Sequence, residues 1–518
     1  MRQVNILWVD DEIDLLRVHI LFLEEKGYAV KTANSGNDAI ELLKKHVFDI
    51  IFLDENMPGM SGLDTLNVIK TMLPNIPVVM ITKNEEENIM DEAIGSKIND
   101  YLIKPVNPKQ ILLIIKKNVD TSRLVSQKTT SAYQIDFTKL SILINNANSF
   151  NDWVDVYKKL VFWELELAAS DDHAMDEVLK LQKNEANSAY AKYIKQNYIG
   201  WFNEKADKKP LMSPMIFKQR VFPLLEKGEK VFFILIDNLR FDQWKMIESE
   251  ISELYQTETE EIFCAILPTA TQYARNAMFA GLMPSEIDKL YPNIWLDDDE
   301  EGGKNMFEEE LLKKQLTRFG KDPKFSYEKV LNIKGGKKVA ENLQNYLANQ
   351  LTVIVYNFVD ILSHARTEMD MIKELANDES AYRSITLSWF KHSPLLEMLK
   401  ELATKKVKII LTTDHGTIKV NNAIKVVGDK NTTTNLRYKQ GRNLNYNPKE
   451  VFEITNPAKV YLPTSNLSST YIFARNDDFF AYPNNFHYYV SYYKNTFQHG
   501  GVSLEEMLIP FIVLTPKT

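Results

Sequence analysis

Two kinds of pattern alternate along the chain. Short, near-continuous apolar runs rich in β-branched and aromatic residues are separated by segments in which apolar positions recur every three or four residues. In residues 1–121 the runs are VNILWVD, YAVKTA, FDIIFLD, PVVMIT and DYLIKP, and a helix-like segment follows each. Five βα units in succession predict a parallel sheet with helices on both faces, because parallel strands need crossover connections. Residues 122–205 contain no run that reads as a strand. Leu, Ala, Lys and Glu dominate there, and Trp153, Trp163 and Trp201 sit at apolar positions. That predicts a helical bundle with the tryptophans in its core. From 206 to 518 the alternation returns, with strands expected at KVFFILID, EIFCAIL, LTVIVYNFVD, VKIILTTD and EMLIPFIVL. Their continuous apolarity is that of strands buried on both faces, which predicts a second, doubly wound α/β domain. The acidic run DDDEEGGK, Asp297 to Lys304, reads as a solvated loop, since nothing nearby completes a metal shell.

Composition narrows the function classes. The 518 residues are 44% apolar and carry a net charge of −8, so no global basic field recruits nucleic acid. The single cysteine, Cys264, excludes a disulfide framework and suits a reducing compartment. The N-terminus, MRQVNILWVDDE, has acids where a signal peptide has its apolar core. No apolar run approaches the ~18 residues of a membrane span. The expectation is a cytoplasmic protein without a membrane partner.

In the first domain Asp10 and Asp11 end the first strand and Asp54 the third, at the edge where a parallel sheet opens its crevice. Three carboxylates there repel one another unless a cation joins them, and hard, oxygen-seeking Mg²⁺ is the natural occupant. Thr82 ends the fourth strand and Lys104, followed by Pro105, the fifth. A carboxylate, a cation, a hydroxyl and a lysine form a site that accepts a phosphoryl group on Asp54. The elements VDDE, DENMPGMSG, T and KP at these spacings resemble the flavodoxin-like receiver domain of two-component response regulators. The resemblance implies phosphorylation at Asp54 by a sensor histidine kinase and Mg²⁺ on Asp10, Asp11 and Asp54. It also implies switch roles for Thr82, Tyr101 and Lys104, and phosphorylation-promoted homodimerisation.

The last domain is too large for a helix-turn-helix output, so its site must define it. Asp237 ends KVFFILID, Asp360 ends LTVIVYNFVD with His364 four residues on, Asp414 ends VKIILTTD with His415 and Gly416 after it, and His499 lies in QHGG. Six such ligands exceed one tetrahedral ion and suit two sites with open positions, with Zn²⁺ favoured and Mn²⁺ or Fe as alternatives. Two adjacent cations clamp the attacking and leaving oxygens of a displacement at phosphorus. In LPTATQY, Thr269 and Thr271 flank the start of a helix, where a hydroxyl either caps the helix or attacks a phosphate held by its N–H groups.

Asp237, PTATQYARNAMFAGLMP, DxxxH, DHG and HGG recur in this order in the alkaline phosphatase superfamily. The threonine segment resembles its nucleotide pyrophosphatase/phosphodiesterase branch, and HGGVSLEEMLIPF its PglZ branch. By this resemblance Thr271 is the nucleophile. Asp360, His364 and His499 hold one zinc, and Asp237, Asp414 and His415 hold the other. That branch has an Asn three residues after the nucleophile, and here the position is Ala274; Arg275 and Asn276 are the candidate substitutes. The whole chain resembles response regulators with a PglZ-type output associated with type IX secretion. This implies oligonucleotide substrates, linear or cyclic, and a sigma factor as a partner. In the loop NTTTNLRYKQGRNLNY, Arg437, Lys439 and Arg442 are candidates to track a phosphate backbone, with Tyr438 and Tyr446 to stack on bases. The alternatives are a phosphomonoesterase, or a phosphorylation-switched binding platform with structural zinc.

Overall fold

A computed structural model describes residues 3–83, 98–170, 173–203, 209–296, 305–376, 378–428, 432–464 and 469–517. They divide into two compact units. The first comprises Met1–Ala132 with Ala169–Ala174, and the second Tyr133–Ala168 with Met175–Thr518. No helix among the described residues is long and apolar enough to cross a membrane.

The first unit is built on strands β1 (Asn5–Val9), β2 (Ala29–Ala33), β3 (Ile50–Asp54), β4 (Val78–Thr82) and β5 (Asp100–Ile103). They form one parallel sheet in the order β2-β1-β3-β4-β5. The two-residue period of a strand divides its apolar residues between two cores. Ile6, Trp8, Ile50 and Phe52 pack on one face, and Leu7, Val9, Ile51 and Leu53 on the other. Strand order reverses between β1 and β3, which opens a crevice at their carboxyl ends. The helix expected after β4 lies outside the described residues, as does the acidic run 297–304.

In the second unit, helices Phe150–Ala168 and Asp176–Asn197 bury Trp153, Trp163, Tyr157 and Tyr190. These helices belong to the same compact unit as the output sheet and touch the segments around it. The Tyr157 ring lies 6.0 Å from that of Phe241. Asn187 accepts a hydrogen bond from Leu504 N (2.8 Å) and donates one to Glu505 (3.0 Å). Two helices alone cannot bury so wide an apolar stripe.

The output sheet contains β6 (Val231–Ile236), β7 (Tyr255–Cys264), β8 (Phe325–Val330), β9 (Leu351–Tyr356), β10 (Lys408–Thr412) and the C-terminal strand Leu508–Pro516. The order is β7, the C-terminal strand, β10, β6, β9, β8. The sheet is mixed: β10, β6, β9 and β8 are parallel, and the C-terminal strand runs antiparallel to both neighbours. Two expected boundaries move. LTVIVYNFVD stops being a strand at Tyr356, and helix Phe358–Glu368 takes Asp360 into its first turn. β7 begins at Tyr255, ahead of the apolar run, because an edge strand tolerates polar residues. Its Glu260 and Glu261 pair with Lys158 and Arg220. β8, on the opposite edge, was hidden for the same reason, since FSYEKV mixes polar with apolar residues.

Candidate phosphoryl-transfer sites

In the first unit Asp10 and Asp54 are buried at the crevice and Asp11 is exposed. One carboxylate oxygen from each lies within 4.8 Å of the others, close enough to share one ion. Lys104 Nζ sits 2.9 Å from Asp10 Oδ2 and 3.0 Å from Asp54 Oδ2. Burial and the neighbouring Asp10 hold the Asp54 carboxyl above the usual range, against the pull of Lys104. Burial disfavours the Lys104 charge, yet its two carboxylate partners keep its pKa raised. Thr82 donates to the Glu55 carboxylate and Tyr101 is exposed, so the two residues expected to respond to a phosphoryl group lie one inside and one outside. This carboxylate set suits a hard divalent cation, and Lys104 stands where it can neutralise an added phosphoryl oxygen.

In the output domain four segments converge. Asp237 directly follows β6, Asp414 and His415 follow β10, Asp360 and His364 lie one turn apart on helix Phe358–Glu368, and His499 follows the short strand Phe497–Gln498. They form two groups. In one, His415 Nε2 lies 3.9 Å from Asp237 Oδ1 and 3.7 Å from Asp414 Oδ2. In the other, Asp360 lies 3.6 Å from His364 Nε2 and 3.7 Å from His499 Nε2. The rings of His415 and His499 stack at 4.2 Å, so the two groups adjoin. Ligand atoms about 2.0–2.2 Å from one tetrahedral ion lie roughly 3.3–3.6 Å apart, so both groups need only a small contraction around a metal. The second ring nitrogens are already engaged. His415 Nδ1 meets Gly416 O at 3.1 Å and His499 Nδ1 meets Thr269 O at 3.2 Å, which leaves both Nε2 atoms for the cluster. Asp237 Oδ1 is buried and has no hydrogen-bond partner among the described residues, as a carboxylate shaped for a cation would be. The His364 side chain is 61% exposed, so its group opens to solvent.

The two threonines of LPTATQY have separate tasks. Thr269 Oγ1 donates to Gly501 O (2.9 Å) and accepts from Gly500 N (3.1 Å), stitching the nucleophile segment to the QHGG loop. Gly500 has φ +123°, and a Cβ there would meet the Tyr438 ring at 2.7 Å. Thr271 is the first residue of helix Thr271–Ala280, whose N-cap is Ala270 with no side-chain cap. The cap reading of Thr271 therefore fails. Its Oγ1 lies 3.1 Å from His415 Nε2, and the uncapped first-turn N–H groups remain for an anion.

The candidate substrate residues fare differently. Arg275 is fully buried, with Nε 3.0 Å from Asp414 Oδ2, Nη1 3.2 Å from Glu308 Oε1 and Nη2 on Asp237. It holds two ligand candidates, and all three of its guanidinium nitrogens meet carboxylates. Burial raises the Asp237 pKa despite Arg275, whereas at Asp414 the Arg275 and His415 charges outweigh burial and lower it. Asn276 is buried too. Arg437 is fully buried against Glu506, with Nη2 to Oε2 at 2.6 Å, and Glu506 Oε1 accepts from Gly501 N at 2.8 Å. Lys439 is buried, its Nζ donating to Thr433 O at 2.7 Å, and burial depresses its pKa to about 7. Tyr438 is buried against Tyr273. The expected backbone-tracking loop is corrected accordingly: of its three cations only Arg442 is exposed, and Arg437 instead braces the loop carrying His499. Sequence reasoning missed the supporting roles of Arg275, Glu308, Arg437 and Glu506. The one available signal was charge inside apolar segments such as TQYARNAMFA.

Three family models match the chain. Residues 6–116 match the response regulator receiver domain, 123–202 the PorX response regulator linker domain, and 216–514 the BREX system PglZ alkaline phosphatase-like domain. These define a response regulator whose output is a PglZ domain, a class whose receiver and phosphatase-like parts generally use divalent metals. The chain belongs to the PglZ alkaline phosphatase-like family, in the PorX-like arrangement of receiver, linker and output. Curated relatives match along the receiver. They include the alginate biosynthesis transcriptional regulatory protein AlgB of Pseudomonas putida, 38% identical over 122 residues, or 24% of this chain and 27% of that protein. The transcriptional regulatory protein ZraR of Klebsiella oxytoca is 36% identical over 135 residues, or 26% and 30%. The chain thus spans under a third of the length of these relatives. Similar solved structures include Vibrio cholerae CheY4, 28% identical, covering 23% of this chain and 99% of that one with a TM-score of 0.22. The receiver domain of NtrX from Brucella abortus is 29% identical, covering 22% and 98%, also with a TM-score of 0.22. A receiver implies a phosphodonor such as a histidine kinase.

Proposed function

We propose that the output domain is a two-zinc phosphodiesterase that hydrolyses linear or cyclic oligonucleotides, with Thr271 as nucleophile and a covalent phosphothreonine intermediate. The observation that carries this reading is the Thr271–His415 contact of 3.1 Å at an uncapped helix N-terminus, between two groups of metal-ligand candidates. Asp237, Asp414 and His415 would hold one ion, and Asp360, His364 and His499 the other. The ions, when bound, would supply positive charge to the developing oxyanions. Thr271 Oγ1 attacks phosphorus as its proton departs, the P–O bond to one alcohol breaks, and that alcohol leaves with a proton. Water then cleaves the threonine–phosphorus bond and restores the hydroxyl. The N–H groups of Thr271 and Gln272 orient the phosphate, and Arg275 fixes Asp237 and Asp414.

In the first unit Asp54 is the phosphoacceptor, with Mg²⁺ on Asp10, Asp11 and Asp54. Phosphorylation promotes homodimerisation through a surface that includes Tyr101, and so controls the output. The PorX-like arrangement supports reading its output as control of type IX secretion, with a sigma factor as partner. The positive charge that Arg275 gives Asp237 and Asp414 favours a second reading, a binding platform without turnover.

Metal content and hydrolysis test both readings. Wild type and Thr271→Val are assayed for metal per chain and for cleavage of bis(p-nitrophenyl) phosphate and a panel of oligonucleotides. Two zincs in each protein with cleavage only by wild type support the phosphodiesterase. Equal metal with no cleavage by either, even with Asp54 phosphorylated, favours the platform.

A further inference from the structure

Helix Phe486–Tyr493 has the sequence FHYYVSYY and buries none of its residues completely. Tyr488 is 63% exposed and stacks on Tyr492, with centroids 6.0 Å apart and planes 16° from parallel. Lys373 Nζ lies 4.9 Å from the centre of the Tyr492 ring. Lys373, Lys419, Lys494 and Tyr492 line a cleft of about 340 Å³, completed by the neutral Ser491, Asn495 and Thr496. Among the described residues, three lysines and no carboxylate line this cleft, on a chain whose net charge is −8.

The cleft is tied to the metal-ligand candidates by a short ribbon. Ile418–Lys419 pairs antiparallel with Phe497–Gln498. At one end His415 lies three residues before Ile418, and His499 directly follows Gln498. At the other, Lys419 and Thr496 line the cleft. Four residues at ~3.3 Å each put Lys419 at most roughly 13 Å of chain from His415.

We propose that this face binds a single-stranded oligonucleotide, with phosphates on Lys373, Lys419 and Lys494 and bases on the Tyr488–Tyr492 platform. Cations flanking an exposed aromatic ring, here Tyr488 backed by the half-buried Tyr492, are the chemistry that holds a strand without reading its sequence. The proposal deepens the phosphodiesterase reading, because it supplies the substrate contacts that the buried loop around Arg437 does not. The binding itself does not depend on turnover.

The test uses the full chain carrying Thr271→Val, with fluorescence anisotropy of a labelled ten-residue oligothymidylate. Lys494→Glu with Lys419→Glu is expected to weaken binding at least about tenfold, and the slope of log affinity against log salt should fall by about 0.7 for each phosphate no longer neutralised. Tyr488→Ala should weaken it at least about fivefold. In the Thr271-intact background the same changes should leave metal content at the wild-type level, which shows that the variants are folded. Affinity unchanged in every variant overturns the proposal, as does equal competition by inorganic polyphosphate with no effect of Tyr488→Ala. Binding that the variants weaken, in a protein that hydrolyses no diester, upholds the cleft and defeats the phosphodiesterase. Oligonucleotide hydrolysis insensitive to the variants does the reverse.

Discussion

Replacing Arg437 with methionine separates two accounts of the segment around it. Arg437 and Glu506 have fully buried side chains, joined by Nη2–Oε2 at 2.6 Å and Nε–Oε1 at 3.2 Å. Methionine fills much of the same volume but leaves Glu506 charged and buried with, among the described residues, Ser503 and Gly501 N as its side-chain partners. Removing one member of such a pair costs about 3–5 kcal/mol, a large part of the 5–15 kcal/mol that holds a typical domain together. Adding Glu506→Gln removes the uncompensated charge and should recover most of that loss. Urea unfolding followed by far-ultraviolet circular dichroism reads both values, provided the slope of the transition is unchanged. Because Gly501 also hangs on Glu506, the single variant should lose metal from the group containing His499. A loss below about 1 kcal/mol, or a double variant no more stable than the single, would refute the buried-brace account. A phosphate-tracking surface arginine would behave differently, changing stability by only about 0.5 kcal/mol while weakening oligonucleotide binding.

Other consequences are as direct. Lys439, with its folded pKa near 7 against about 10.4 when unfolded, binds fewer protons in the fold across that interval, so its contribution to stability rises with pH. From pH 7 to pH 9 this amounts to about 2 kcal/mol. Lys439→Met should flatten the rise measured by urea unfolding; identical slopes would show the amine is not buried and neutral. Thr269→Val strands the Gly500 N–H, should cost about 1–3 kcal/mol, and should leave Thr271 reactive. Thr271→Val should abolish turnover without loss of stability, so the two threonines are told apart by melting and rate together. Arg275→Met should weaken metal binding about 10–100-fold by freeing Asp237 and Asp414, read by competition with a zinc chelator. Unchanged affinity would mean that the arginine does not position them.

Both α/β sheets were legible because their central strands are continuous apolar runs, and β3, β4, β6 and β9 are buried along their whole length. What pattern could not show was polarity at edges, where β7 and β8 mix charged with apolar residues. The reversed direction of the C-terminal strand was also illegible, since a strand's periodicity is the same in either direction. Asp237, Asp360, His364, Asp414, His415 and His499 were legible as motifs, and the structure brings them into two adjoining groups. The buried arginines were misread, because a run such as NLRYKQGR looks solvated until Glu506 is known to face it. Charge in a sequence names a chemistry, and only the fold says whether its partner is a phosphate or a carboxylate. The tyrosine-rich helix was overlooked for the converse reason, since its lysines come from three separate segments.

The central claim is that Thr271 attacks phosphorus. The measurement that tests it most directly is the stereochemical course of hydrolysis of a chiral phosphorothioate diester in isotopically labelled water. Each in-line displacement inverts phosphorus, so attack by Thr271 followed by water predicts net retention. Net inversion would mean that water attacks directly, and Thr271 would not be the nucleophile.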